Sequence, residues 1–129
     1  MVGGRFLLDT VIVAAYFNRE EAIRDRLTDV TVYVSSITIG ELYFGAYNSR
    51  EVTNNVERIR DFVAINTVLP CDRVTSDYYG QVKNALRAKG RPIPENDIWI
   101  AATALQYSLT VVTRDAHFQE VDGLLIDVW

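Results

Sequence analysis

Residues 94–104, PENDIWIAATA, and residues 109–115, LTVVTRD, form the stretch that decides the fold of this chain. Apolar residues recur at helical spacing in the first segment, and Pro94 suits the first turn of a helix. The second segment is short, apolar and β-branched, which is typical of a buried parallel strand. Asp97 falls in the first turn of the predicted helix, and Asp115 follows the predicted strand. Ligands of open α/β sheets bind beyond the carboxyl ends of the strands, so we expect the two acids to face one crevice.

Size and composition bound the class of protein. The 129 residues are 49% hydrophobic, which fits a single domain covering residues 1–129 with a core of ordinary size. No apolar run is long enough to span a bilayer, and the first residues do not form a signal peptide. With Cys71 as the only cysteine, no internal disulfide can form, and a cytoplasmic location is expected. One His and one Cys argue against a zinc site, so a metal here would be Mg²⁺ or Mn²⁺ held by oxygen.

Strand-like segments alternate with helical segments along the chain. The predicted strands are 5–9, 31–36, 66–69, 109–113 and 124–128, and the predicted helices are 10–17, 20–27, 37–47, 52–65, 74–89 and one beginning at residue 94. This alternation predicts a parallel sheet with helices on both faces. Asp9 or Thr10 is placed to cap the first helix, and Ser36 or Thr38 is placed to cap the third.

Two more acids follow the first two predicted strands. Asp9 ends the first strand, and Glu41 lies in an apolar helical segment with no Lys or Arg one turn away, where a charge is costly unless it is exposed or paired. Each acid also has an ordinary structural interpretation. Asp9 and Asp115 can be helix caps, Asp97 a favourable first-turn charge, and Glu41 the solvent edge of its helix.

Taken together, the four acids indicate metal-dependent chemistry. Clustered carboxylates repel one another and cannot all stay ionised unless cations lie among them. Two divalent ions suit phosphodiester cleavage, because one activates water and the other stabilises the leaving oxygen. The residues therefore suggest a nuclease. The net charge of −4 does not exclude a nucleic-acid substrate, because four acids gathered around metal ions account for it.

Four motifs, in order along nearly the whole chain, resemble those of PIN-domain proteins, in particular the VapC-like toxin ribonucleases of prokaryotic type II toxin–antitoxin pairs. They are LLDT at 7–10, GEL at 40–42, NDIWIAA at 96–102 and TRDAHF at 113–118. The resemblance implies a three-layer α/β/α sandwich whose central parallel sheet has the strand order 3-2-1-4-5. It also implies RNA cleavage that depends on magnesium or manganese. The lead before the first strand, 1–4, is longer than in many members.

The same resemblance implies roles for individual residues. Asp9, Glu41, Asp97 and Asp115 match the acidic positions that hold the metal ions and carry catalysis, and Thr10, Asn96 and Thr113 match supporting positions. It further implies an RNA substrate, a cognate antitoxin protein and a homodimer.

Basic and aromatic residues are open to two interpretations. The basic residues Lys83, Arg87, Lys89 and Arg91, together with Arg114, either guide RNA phosphates to the site or lie on a solvated face. Trp99 is interpreted as a packing residue or a dimer contact, and His117 as a structural residue of a turn. The apolar residues Val13, Phe17, Tyr43 and Tyr47, with Phe44 beside them, are expected in the core, in a groove or in a dimer contact.

Three alternative functions are weighed. A structure-specific or DNA-directed nuclease on the same scaffold would use the same acids. A phosphoacceptor signalling domain is also a small parallel α/β sandwich, but it needs paired acids after the first strand and a Lys after the fifth. Here the chain has Asp9-Thr10 and Val128-Trp129. A binding module that has lost activity is disfavoured by the complete acid set.

Overall fold

The computed structural model describes residues 4–129, so residues 1–3 of the lead lie outside the described part of the chain. Five strands form one all-parallel sheet. They are β1 (Arg5–Leu8), β2 (Thr31–Ser35), β3 (Thr67–Leu69), β4 (Thr110–Thr113) and β5 (Ile126–Val128). Their order is β3-β2-β1-β4-β5, which confirms the order that the family resemblance implied.

Six α-helices and one 3₁₀ helix connect the strands. They are α1 (Thr10–Phe17), α2 (Glu21–Arg26), α3 (Ser36–Tyr47), α4 (Val52–Ile65), α5 (Arg73–Ala88), α6 (Glu95–Tyr107) and the 3₁₀ helix Ala116–Glu120. Every predicted helix is present, with ends shifted by no more than one residue. Among residues 4–129, no helix is both long enough and apolar enough to cross a membrane.

Two details of the helix starts differ from the prediction. Ser35, rather than Ser36 or Thr38, caps α3, and its hydroxyl accepts a hydrogen bond from the Thr38 N–H at 3.1 Å. Ser35 keeps extended backbone angles as the last strand residue, which is the conformation that an N-cap requires. Pro94 is the residue before α6, with ψ 144°, instead of a member of its first turn.

Helices cover both faces of the sheet and create two cores. Because side chains alternate along a strand, Leu7 of β1 points into the core formed with α5 and α6, and Leu8 points into the core formed with α1–α4. Val13 is fully buried in the second core, so of the three places expected for this residue, the core is the one it takes. Phe17 is half-buried there and packs edge-on against Phe62.

The central pair of strands positions the functional edge. Leu8 of β1 pairs with Val112 of β4, and the Asp9 N–H donates to the Val112 carbonyl at 2.9 Å. The carboxyl ends of β1 and β4 therefore lie side by side. Asp9 follows one strand and Thr113 ends the other, so the two residues meet at this edge.

Candidate active site

Asp9 is the most firmly held of the four acids. It is 5% exposed; one carboxylate oxygen accepts from the Thr10 N–H at 2.7 Å, and the other accepts from the buried Thr113 hydroxyl at 2.8 Å. The first bond is the N-terminal cap of α1. Burial raises the pKa of Asp9, although the hydrogen bonds from Thr113 and Thr10 oppose this effect. Asp9 is therefore both a helix cap and a fixed acid of the crevice.

Glu41 is connected to Asp9 through a neighbouring hydroxyl. It is half-buried on α3, and its carboxylate accepts a hydrogen bond from the Thr10 hydroxyl at 2.7 Å. The Thr10 hydroxyl also lies 3.4 Å from that of buried Thr38. These contacts join α1 to α3 and hold the Glu41 carboxylate beside the first turn of α1. Thr38 was missed as a site neighbour, because only the packing of α1 on α3 brings it there.

Asp97 and Asp115 come from two other elements. Asp97 lies in the first turn of α6. Asp115 caps the 3₁₀ helix, accepting from the His117 N–H at 2.9 Å. The Asp115 N–H donates to the Thr113 hydroxyl at 2.9 Å, and that hydroxyl donates to Asp9. Thr113 thus ties two acids together, which gives a physical basis for its predicted supporting position.

The electrostatics of Asp97 reflect the nearness of the other three acids. Burial is the largest cause of a rise in the pKa of Asp97 from 3.8 to about 6, and the negative charges of Asp9, Asp115 and Glu41 contribute to this rise in that order. The side chain is 16% exposed, so water only partly screens this repulsion. The structure therefore brings the four predicted acids to the carboxyl edge of the sheet.

His117 also faces this crevice, although sequence reasoning assigned it only to a turn. Its Nδ1 lies 3.0 Å from Asp115 Oδ1 and 3.6 Å from Asp97 Oδ2. One potential ligand atom from each of Asp97, Asp115 and His117 lies within 4.8 Å of the other two. The spacing Asp115-x-His117 in the TRDAHF motif was the available signal, because an N-cap Asp accepts a hydrogen bond from the backbone two residues later and so brings that residue beside it.

The other predicted site residues lie at the rim or further out. Asn96 is exposed and lines a cleft of about 670 Å³ together with Thr10, Glu41 and Phe44. Trp99 stacks on Tyr79 with ring centroids 4.0 Å apart, as expected of a packing residue.

Three of the five predicted RNA-guiding residues are paired with acids. Lys83 pairs with Glu95, Lys89 pairs with Asp122 at 3.2 Å, and Arg114 holds Glu20 at 2.8 and 3.2 Å. Arg87 and Arg91 are exposed. An RNA-guiding role for these five residues stays a prediction.

The chemistry of the donor set fits a divalent cation. Carboxylate oxygens are the ligands that Mg²⁺ and Mn²⁺ prefer, and four of them converge here. Burial, together with repulsion from the other acids, holds the pKa of Asp97 well above its ordinary value; a bound cation would offset this penalty by favouring the charged form. The first turns of α1 and α6 also lie at the crevice, and their dipoles favour negative charge.

Comparison with known proteins identifies the family. The PIN-domain family matches residues 6–124. The tRNA(fMet)-specific endonuclease VapC of Shigella flexneri is 32% identical, and the alignment covers 97% of this chain and 98% of that protein. Ribonuclease VapC2 of Haemophilus influenzae is 34% identical with the same coverage. The DNA-bound VapBC structure from Salmonella typhimurium is 31% identical over 100% of this chain and 99% of that chain, with a TM-score of 0.89.

These matches confirm the resemblance that the four motifs indicated, and they leave the phosphoacceptor domain without support. The matched region contains all four acids and the strands that position them. The chain belongs to the PIN-domain family and, within it, to the VapC-like ribonuclease toxins of toxin–antitoxin pairs.

Proposed function

We propose that this protein is a metal-dependent endoribonuclease, the toxin of a toxin–antitoxin pair, whose Mg²⁺ or Mn²⁺ is held by Asp9, Glu41, Asp97 and Asp115. The observation that carries the proposal is the convergence of these acids at one edge of the sheet. Thr113 bridges Asp9 and Asp115, the Thr10 hydroxyl holds Glu41 beside Asp9, and His117 Nδ1 lies within 3.6 Å of both Asp97 and Asp115. The names of the Shigella and Haemophilus relatives, an endonuclease specific for tRNA(fMet) and a ribonuclease, support RNA as the substrate and tRNA as the first candidate.

The residues of the chain prepare the site for hydrolysis. A divalent cation bound there would supply Lewis acidity, activating water and stabilising the negative charge that develops on the phosphate oxygens. Thr113 and the backbone of Thr10 hold Asp9, and the Thr10 hydroxyl holds Glu41, so the acids are oriented before substrate arrives. Asn96 at the rim of the cleft supports this pocket. In-line attack by water would leave a 5′-phosphate and a 3′-hydroxyl.

The proposed partners follow from the family and from this function. The Salmonella structure is a VapBC complex, which supports a cognate antitoxin for this chain as well. The proposed place of action is the cytoplasm. A small neighbouring gene product that neither binds nor neutralises the protein would contradict the toxin assignment.

Cleavage assays test the activity directly. Purified protein should cut tRNA or total RNA with MnCl₂ present and stop when EDTA is added, and Asp9→Asn should be inactive. Sequencing the 5′ ends of RNAs cut after brief induction would then locate the cleavage sites. Faster cleavage of single-stranded DNA than of RNA would favour the DNA-directed alternative, and full activity in EDTA would overturn the metal dependence.

Filling the metal site should stabilise the fold. A ligand at about 100 times its Kd adds about 2.7 kcal/mol to the free energy of unfolding, which raises Tm by roughly 10 °C for a chain of this size. We expect this shift with MnCl₂ in wild type and a much smaller one in Asp9→Asn, measured by calorimetry. Glu57→Gln, an exposed position on α4, is the control and should keep the full shift. An equal shift in Asp9→Asn would exclude Asp9 as a ligand.

We also propose a homodimer that uses the exposed aromatic face of α3. Phe44 and Tyr47 are 74% and 61% exposed, which is costly for large apolar side chains unless a partner covers them. We expect a dimer by light scattering and a dimer Kd raised about tenfold or more in Phe44→Glu. Ile65→Glu, at an exposed residue of α4, is the control. A wild-type protein that stays monomeric at high concentration would contradict the dimer.

A further inference from the structure

The turn after β4 brings the only histidine of the chain to the acid crevice. The His117 backbone N–H donates to Asp115 Oδ1 at 2.9 Å, and this bond folds the 3₁₀ helix back over Asp115. The next residue, Phe118, is fully buried in the core under α5 and α6. Phe118 therefore anchors the turn from below while the imidazole, half-exposed, lies above it.

The distances from the imidazole match those between ligands of one cation. His117 Nδ1 lies 3.0 Å from Asp115 Oδ1 and 3.6 Å from Asp97 Oδ2. An octahedral cation with bonds of about 2.1 Å places neighbouring ligands about 3 Å apart and opposite ligands about 4 Å apart. A single ion could therefore contact all three side chains after only small movements.

The remaining two acids are held by other contacts. Both carboxylate oxygens of Asp9 accept hydrogen bonds, from Thr10 and Thr113, and Glu41 accepts one from Thr10. The side chains of Asp97, Asp115 and His117 make none of these hydrogen bonds, and Thr113 connects to this cluster only through the Asp115 backbone N–H. It is also the part of the crevice in which a nitrogen donor joins the oxygens.

We propose that His117 Nδ1 is a direct ligand of the cation that Asp97 and Asp115 hold, and that it shifts the preference of this position from Mg²⁺ toward Mn²⁺. The inference rests on the proposed metal-dependent function and names a ligand beyond the four acids. Mg²⁺ strongly prefers oxygen ligands and gives up its waters reluctantly. Mn²⁺ accepts an imidazole nitrogen more readily, because it is the softer of the two ions.

Pulsed electron paramagnetic resonance of the Mn²⁺-loaded protein, with any affinity tag removed, tests the ligand directly. The sequence has one His, so a ¹⁴N coupling of the strength of a bound imidazole can come only from His117. We expect this coupling in wild type, its loss in His117→Ala, and its retention in Gln119→Ala, an exposed position on the same 3₁₀ helix. Melting temperatures without metal check that both variants are folded.

Calorimetric titration gives a second readout that does not depend on RNA cleavage. His117→Ala should raise the Kd for Mn²⁺ about tenfold or more, and the Kd for Mg²⁺ no more than about twofold because water readily replaces the nitrogen there. If His117→Ala raised the Kd for both ions by the same factor, the proposed preference for Mn²⁺ would be wrong. Mn²⁺ binding without ¹⁴N coupling in wild type would show that His117 is not a ligand, while the proposal that the four acids bind the cation would stand. Absence of any Mn²⁺ binding would instead refute the proposed function itself.

Discussion

Asp97→Asn should lower RNA cleavage by about a thousandfold or more. The substitution keeps the size of the side chain but replaces a charged oxygen ligand with a neutral amide. Loss of a charged metal ligand should raise the activation free energy of cleavage by several kcal/mol, and about 4 kcal/mol corresponds to a thousandfold in rate. The measurement is the initial rate of cleavage of one RNA at saturating MnCl₂, compared between wild type and the variant.

Glu95→Gln is the matched control for this substitution. Glu95 lies two residues earlier in the same first turn of α6, but its carboxylate pairs with Lys83 and is exposed. Removing its charge should change the rate by no more than about twofold, because screened surface charges have small effects. Wild-type activity in Asp97→Asn would remove Asp97 from the site, and equal losses in both variants would indicate a general effect of charge on α6.

Asp97→Asn should also be more stable than wild type when metal is absent, and the size of this gain should depend on pH. Because the pKa of Asp97 rises from 3.8 to about 6 on folding, the folded state binds this proton more tightly than the unfolded state. The contribution of the Asp97 carboxyl to the free energy of unfolding is therefore fully present below about pH 4. It is lost as the pH rises from about 4 to 6 and does not return at higher pH. Denaturation in EDTA should find Asp97→Asn more stable than wild type by at most about 3 kcal/mol at pH 8. At pH 4 the two should be nearly equal, and a difference independent of pH would contradict the raised pKa.

The sequence determined the elements well because their signals are local. Short β-branched runs and amphipathic helices are visible within ten to fifteen residues, and the structure moved their ends by one or two positions. The strand order could not be predicted in this way. The alternation of strands and helices indicated a parallel sheet, but only the family resemblance supplied the order 3-2-1-4-5. Pairing of β1 with β4 joins residues about a hundred positions apart, and no local pattern encodes it.

The site was predicted as a list of acids, but its connections were not. The Thr113 hydroxyl links Asp9 to Asp115, and the Thr10 hydroxyl links α1 to Glu41. These contacts depend on side-chain orientation in the folded chain. The sequence also left open whether Val13 lies in the core, in a groove or in a dimer contact. Helix α1 is short and apolar almost all round, so the sequence does not show which of its residues face the core.

Glu41→Gln should reduce cleavage about a hundredfold while leaving the metal-free fold intact. The Thr10 hydroxyl can still donate to the amide oxygen of the new side chain, so the contact between α1 and α3 persists. The negative charge of Glu41 is lost, however, so the reacting groups are no longer held in the right position, and such a misplacement costs about a hundredfold in rate. Melting temperature in EDTA should stay equal to wild type or rise slightly, because repulsion among the acids falls. The cleavage rate with MnCl₂ and the melting temperature in EDTA are measured on one preparation.

Titration of Asp97 by NMR separates a Glu41 that acts inside the crevice from one that acts only at the solvent edge of α3. The charge of Glu41 contributes to raising the pKa of Asp97, so Glu41→Gln should lower that pKa below about 6. Glu57→Gln on the exposed side of α4 should leave it unchanged. Unchanged cleavage together with an unchanged Asp97 pKa would exclude Glu41 from the metal site. A lowered pKa with unchanged cleavage would place Glu41 in the crevice but not among the ligands, because proximity alone shifts a pKa whereas a lost ligand must slow the reaction.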